Sequence, residues 1–151
     1  MAYESDFVAW ADEQAALLRR RASGEIVNDG FDWEHLAEEI EGVARNDRHQ
    51  VVSRLAVICH HLLKLVYQPE KQIDRNSWAS TVIEQRSRLE LLLEDSPSLH
   101  PHAAAMLPRA YSISRRMATR ETEIATLPVQ SPWTVEQVLD PDFWPTEPPG
   151  S

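Results

Sequence analysis

The segment VVSRLAVICHHLLKLV, residues 51–66, is the most apolar run in the chain. On a helix its apolar side chains cover about half of the circumference, which is wider than packing against one neighbouring helix requires. This width predicts the central helix of a bundle. We expect this helix to run from about Asp47 to Gln68, because Pro69 disfavours helical geometry in the residue before it.

One side of the central helix is polar. Arg54, His61, Lys64 and Gln68 recur there at helical spacing, so a line of basic and polar groups follows an otherwise buried element. The single cysteine, Cys59, lies among the apolar positions and is interpreted as a small buried hydrophobic residue. One cysteine cannot build a disulfide framework, which fits a reducing compartment and predicts a cytoplasmic protein.

Capping residues and apolar periodicity predict helices on both sides of the central one. The expected helices start at Ser5–Asp6, at Asp32, at Ser77, at Leu99–Pro101 and, for a short capping-box helix, at Thr134. A kink or a break is expected at Gly42–Arg48, with Asn46 as the cap of the central helix. Pro108 predicts a kink or an irregular first part in its helix.

These elements predict an all-α fold: a compact bundle of about five helices with an irregular, packed C-terminal tail. The tail is rich in proline, acids and aromatic residues, and Trp133, Phe143 and Trp144 carry too much apolar area to remain in water. We therefore expect one helical domain over residues 1–145, followed by a loose segment at 146–151.

Charge is unevenly distributed along the chain, which has a net charge of −9. Residues 1–47 carry 12 acids and 4 bases, residues 48–120 carry 6 and 11, and residues 121–151 carry 6 and none. The acidic flanks can neutralise the basic middle, so no nucleic-acid partner is expected. The acidic start lacks the pattern of an export signal, and charges interrupt every apolar run well before the roughly 20 residues of a membrane helix.

Polar side chains on or beside apolar helix faces form the candidate site. The members are Glu38, Glu41, Arg54, His61, Lys64, Gln85, Arg86 and Glu121. Buried charges must meet one another, water or a ligand. The residues therefore predict either a satisfied network between helices or a pocket for a small polar or anionic ligand, in which His61, Lys64 and Arg86 would donate hydrogen bonds. A His–Glu pair beside a lysine could also perform acid–base chemistry.

Motifs for nucleotide, cofactor or metal binding are missing from the sequence. It has no glycine-rich phosphate loop and no Glu-x-x-His or His-Glu-x-x-His ligand pattern, so no cofactor and no metal are expected. Nothing in the residues requires an enzyme. A binding or regulatory role through a protein partner, or as a homodimer, is the first hypothesis, and a ligand-binding protein or enzyme built around His61, Lys64 and Arg86 is the alternative.

Motifs spread over nearly the whole chain carry a family resemblance. They are Asp6…Trp10…Gln14, the segment DWEHLAEEIE at 32–41, His61-Leu-Leu-Lys64…Tyr67-Gln-Pro69, Trp78…Gln85-Arg86, DSPSL at 95–99 and Pro132-Trp-Thr…Asp140-Pro-Asp-Phe-Trp-Pro145. In this order and at this spacing the chain resembles the bacterial domain of unknown function 29 family. The resemblance implies an all-helical single domain, and it implies no activity or catalytic residue. Asn46 departs from the serine cap expected there.

Overall fold

Five α-helices make up the regular structure of residues 2–149. A computed structural model describes residues 2–149 and contains no strand in that range. The helices are α1 (Phe7–Ala22), α2 (Trp33–Tyr67), α3 (Gln72–Asp95), α4 (Leu99–Thr122) and α5 (Val135–Leu139). The predicted all-α class is therefore confirmed.

Contacts within the chain divide it into two units. Unit 1 is Met1–Asn46 and unit 2 is Asp47–Ser151. The division falls inside α2, so the first part of this helix belongs to unit 1 and its second part to unit 2. Unit 1 also contains α1, and unit 2 also contains α3, α4 and α5.

Two local capping signals, at Asp6 and at Thr134, formed the structures they predicted. The side chain of Asp6 accepts a hydrogen bond from the backbone N–H of Ala9 at 3.0 Å and starts α1. Thr134 and Gln137 cap α5 reciprocally, each side chain accepting from the other residue's backbone N–H. Both signals act over three residues, so no distant part of the chain is needed to form them.

Of the two alternatives expected at Gly42–Arg48, a kink or a break, the break is wrong, because α2 is one helix of 35 residues. Gly42 costs only about 1 kcal/mol relative to alanine inside a helix, and its neighbours include strong helix formers such as Glu41 and Arg45. The cap predicted at Asn46 consequently does not form, and the central helix has no separate start at Asp47.

One helix start and one helix interior differ from expectation. α3 begins at Gln72 rather than Ser77, so residues 72–76 are helical, and the Arg75 side chain donates to the Leu65 carbonyl at 2.8 Å. α4 starts at Leu99, as predicted, and is helical through Pro108, so the alternative of an irregular first part is wrong. Pro108 is exposed. The helix continues past it although proline cannot donate the usual backbone hydrogen bond.

The core of unit 2 surrounds the second part of α2, as the width of its apolar face predicts. The α2 residues with almost no exposure are Val51, Leu55, Ile58, Cys59, Leu62 and Leu63. Helices α3, α4 and α5 add Val82, Leu89, Ala103, Ala110, Tyr111 and Val138 to the same cluster. Burial raises the pKa of the Cys59 thiol to about 12. Cys59 is thus a buried apolar residue, as expected, rather than a reactive thiol.

The segment after α4 is irregular and packs on unit 2, in agreement with the prediction. Trp133 is buried in the core, the Tyr111 hydroxyl donates to the Pro128 carbonyl at 2.6 Å, and Arg115 Nε donates to the Leu127 carbonyl at 3.1 Å. Of the segment expected to be loose, residues 146–149 are exposed and residues 150–151 lie outside the described range.

The continuous helix through Gly42 makes a testable prediction. A Cβ at Gly42 would meet no atom within 4 Å. Gly42→Ala should therefore raise the free energy of unfolding by about 0.5–1 kcal/mol, because alanine loses less backbone entropy in a helix. Urea titration followed by circular dichroism measures this. Gly30→Ala is the contrasting variant and should destabilise, because Gly30 has a φ of +92° and its Cβ would lie 3.2 Å from Leu17. A loss of stability in Gly42→Ala would contradict a continuous α2.

Candidate functional site

One carboxylate of α4 binds two basic side chains of α2. An oxygen of Glu121 lies 3.0 Å from His60 Nε2 and 3.1 Å from Lys64 Nζ. Both basic residues are buried, whereas the Glu121 side chain is about half exposed. The Lys64 ammonium also lies 4.9 Å from the centre of the Trp78 ring. A buried ammonium thus has a carboxylate and an aromatic face as partners.

The electrostatics of this cluster hold His60 neutral and Glu121 charged. Burial lowers the pKa of His60, and the Lys64 charge adds to this effect against the attraction of Glu121. Burial alone would raise the pKa of Glu121, but the hydrogen bond from Lys64 and the two basic neighbours outweigh it, and its pKa is lowered. A neutral imidazole with its proton on Nε2 can donate to Glu121.

His61 and Arg54 bind partners outside this cluster. His61 Nδ1 is 2.9 Å from the Val57 carbonyl of its own helix, and burial lowers the pKa of His61. Arg54 Nη1 donates to the side-chain oxygen of Gln85 at 3.0 Å, which joins α2 to α3. The polar line on α2 therefore meets α3 at one end and α4 at the other.

Arg86 anchors the C-terminal segment. It is buried on α3, its Nε donates to the Val138 carbonyl at 2.8 Å, and its guanidinium lies 5.0 Å from the centre of the Trp144 ring. Burial lowers the pKa of Arg86, and the charge of Asp140 opposes this shift. A cavity of about 280 Å³ adjoins Arg86 and is also lined by Glu90 and His100.

The structure thus distributes the eight predicted residues over several places. Glu121 meets Lys64, Arg54 meets Gln85, Arg86 binds backbone carbonyls, and His61 binds its own helix. Glu38 and Glu41 are exposed on the part of α2 that belongs to unit 1. His60 was not among the eight residues predicted for the site, although it is more deeply buried than His61.

A second polar network, in unit 1, was also missed. Asp32 Oδ2 accepts hydrogen bonds from Trp10 Nε1 at 2.9 Å and from His35 Nδ1 at 2.8 Å. The Tyr3 ring stacks on His35 with centroids 3.9 Å apart, and its hydroxyl donates to Glu39. The spacing Asp32-x-x-His35 at a helix start was the available signal, since residues three apart are neighbours there.

Hydrogen bonds within this network shift the pKa values of its members. The hydrogen bond from His35 is the main cause that lowers the pKa of Asp32, and the hydrogen bond to Asp32 raises the pKa of His35. The hydrogen bond to Glu39 raises the pKa of Tyr3 to about 12. Gln14, whose burial required partners, donates to the Gly30 carbonyl at 2.9 Å and accepts from the Asp32 backbone N–H at 2.8 Å.

An apolar groove of about 340 Å³ lies on unit 1 between α1 and the first part of α2. Eight of its ten lining residues are apolar: Phe7, Trp10, Ala11, Ala15, Leu18, Leu36, Ile40 and Val43. The two polar ones are Gln14 and Glu39, which are hydrogen-bonded to the loop backbone and to Tyr3. Ile40 is 71% exposed and Val43 66% exposed. The groove is therefore an open apolar surface.

Residues 2–149 contain neither a cluster of metal-binding side chains nor a membrane-spanning helix. No group of three or more His, Cys, Asp or Glu side chains is arranged to hold a metal ion in that range. No helix in it is long and apolar enough to cross a membrane.

The histidines should separate in a pH titration. The pKa values of His60 and His61 are lowered and that of His35 is raised, so His60 and His61 should titrate below the ordinary value of about 6.5 and His35 above it. A histidine with a lowered pKa binds its proton more readily in the unfolded state. The stability contributed by His60 and His61 is therefore lost as pH falls below about 6.5. Imidazole ¹H–¹⁵N spectra measure each pKa.

A matched variant tests the cause of the shift. Glu121→Gln removes the carboxylate that raises the pKa of His60, so His60 should titrate lower still while His35 stays unchanged. A His60 pKa above the ordinary value in the wild-type protein would contradict the cluster described here.

Comparison with known proteins gives a family without a function. No curated protein and no solved structure is significantly similar to the chain. One family model, described as Domain of unknown function DUF29, matches residues 2–144, which include the Asp32–His35 network, the groove and the Glu121 cluster. The chain therefore belongs to the DUF29 family.

Proposed function

We propose that this protein is a non-enzymatic binding or regulatory protein that acts through a protein partner. The observation that carries the proposal is the apolar groove on unit 1. Contiguous exposed apolar surface in a folded protein marks a place where another molecule binds. A buried cysteine without a disulfide is compatible with work in the cytoplasm.

The small core of unit 1 supports this proposal. In residues 2–46 only Trp10 and Gln14 are buried. A unit this small has little interior with which to offset the entropy of folding. Ile40 and Val43 stay largely exposed, so a partner that covers them adds apolar burial that unit 1 itself lacks.

The groove favours docking over catalysis because of its chemistry. Its only polar side chains, Gln14 and Glu39, already have hydrogen-bond partners. The shape fits a helix, since lining residues recur along α1 from Phe7 to Leu18 at intervals of three and four. An amphipathic helix that lays its apolar face in such a groove is a common mode of protein recognition.

Ile40→Asp should abolish partner binding, because it places a charge in the apolar contact. The control is Ile73→Asp on α3, where the isoleucine is 95% exposed and belongs to unit 2. Both variants should keep the wild-type circular dichroism, since surface substitutions rarely change stability by more than about 0.5 kcal/mol. Affinity capture from the source cells with quantitative mass spectrometry compares the three proteins.

The expected result is a protein retained by the wild type and by Ile73→Asp but lost from Ile40→Asp. The same protein, purified, should then rebind at a fixed ratio. Identical sets of captured proteins from all three baits would contradict a partner site in the groove.

A further inference from the structure

We infer that the groove of unit 1 receives a basic amphipathic helix: a partner segment with an apolar seam and lysine or arginine on its flanks. This inference rests on the proposed function and names the chemistry of the partner. Three features of unit 1 support this inference: the length of the groove, the net charge of the unit, and the position of exposed acidic side chains beside the groove.

The length of the groove sets the length of the partner helix. From Phe7 to Leu18 the lining residues of α1 cover eleven steps, or about 17 Å at the helical rise. A helix that fills this length contributes about three turns, with apolar residues at intervals of three and four. Such a seam meets Leu18 at one end and Phe7 at the other.

The net charge of unit 1 selects the sign of the partner. Residues 1–46 contain 11 acidic and 4 basic residues, a net charge of −7. One of the four bases, Arg20, is already paired with Glu25 at 2.8 Å. A field of this sign attracts a cationic segment and raises its rate of association. Two copies of unit 1 would instead bring −7 against −7, which disfavours a second copy as the occupant.

Exposed acids lie beside the lining residues of the groove. Asp12 is exposed on α1, about 60° around the helix from the lining residue Ala15. Glu41 is exposed on α2, about 100° from the lining residue Ile40. Lysine or arginine beside the apolar seam of the partner can reach these carboxylates, as flanking charges do in paired helices.

Glu38 lies beyond the other edge of the α2 lining residues. It is exposed on α2, about 100° around the helix from the lining residue Glu39, which equals the angle between Glu41 and Ile40. Both glutamates therefore add negative charge beside the groove.

The test uses three synthetic peptides of about 18 residues in an alanine-rich background that favours helix. The first has a leucine seam at helical spacing flanked by lysines, the second has the same seam flanked by glutamates, and the third has the composition of the first in scrambled order. Fluorescence anisotropy with the full chain at about 0.02 M salt should show the lysine peptide binding on the order of tenfold more tightly than the glutamate peptide. The scrambled peptide should bind on the order of tenfold more weakly than the lysine peptide.

Variants locate the binding. Ile40→Asp should abolish binding of the lysine peptide. The double variant Asp12→Asn with Glu41→Gln should weaken it about fivefold, whereas the charge-matched control Glu70→Gln with Glu147→Gln, two exposed acids of unit 2, should leave it within about twofold. Raising the salt to about 0.5 M should remove most of the preference for lysine over glutamate, because exposed charges are screened.

Four outcomes would overturn the inference. Equal or tighter binding of the glutamate peptide, dependent on Ile40, would leave the groove as a docking site but reject the basic partner. If the scrambled peptide binds as tightly as the lysine peptide, the protein attracts any polycation and the groove does not recognise an apolar seam. A dimer of the protein alone in light scattering that Ile40→Asp dissociates would make a second copy the occupant. If no peptide binds at all, the groove does not dock a helix, and the proposed function falls with the inference.

Discussion

Burial of the second part of α2 is the constraint on which unit 2 depends. Each large aliphatic side chain removed from water contributes about 1.5–3 kcal/mol, and half of the circumference of this helix is apolar. Three other helices contribute residues to the same core. Polar residues on the same helix then lie where water is scarce, so they need partners within the fold. Glu121 meets this need for His60 and Lys64, whereas Arg54 donates to Gln85 through Nη1 and keeps a buried Nε without a partner.

Features that depend on a few neighbouring residues could be predicted from the sequence. Asp6 and Thr134 cap their helices with hydrogen bonds that span three residues, and the apolar width of Val51–Val66 identified the central helix. The break at Gly42–Arg48 was predicted by the same local reasoning and did not form. One glycine and one asparagine together destabilise a helix by only about 1–2 kcal/mol relative to alanine. The helix-forming residues around them can outweigh this cost.

Pairings between distant residues could not be predicted. The sequence indicated that Lys64, Arg86 and Glu121 need partners, but Glu121 is 57 positions from Lys64, and Arg86 binds a backbone carbonyl 52 positions away. The type of a side chain limits its partner to a chemical class. The packing of the helices then decides which residue that partner is. The groove on unit 1 was hidden for a related reason. An apolar stripe on a helix predicts burial, and no pattern in a sequence marks a stripe that remains open.

The C-terminal segment is held by hydrogen bonds that require particular side chains on the helices but not on the segment itself. Arg86, Tyr111 and Arg115 each donate to a backbone carbonyl of that segment, at Val138, Pro128 and Leu127. Every amino acid presents the same carbonyl, so these three bonds do not read the side chains they hold. Burial restricts the side chains of the segment instead, because Leu127, Trp133 and Val138 lie in the core. The donors thus fix the path of the backbone, and the buried side chains fix which residues can follow that path.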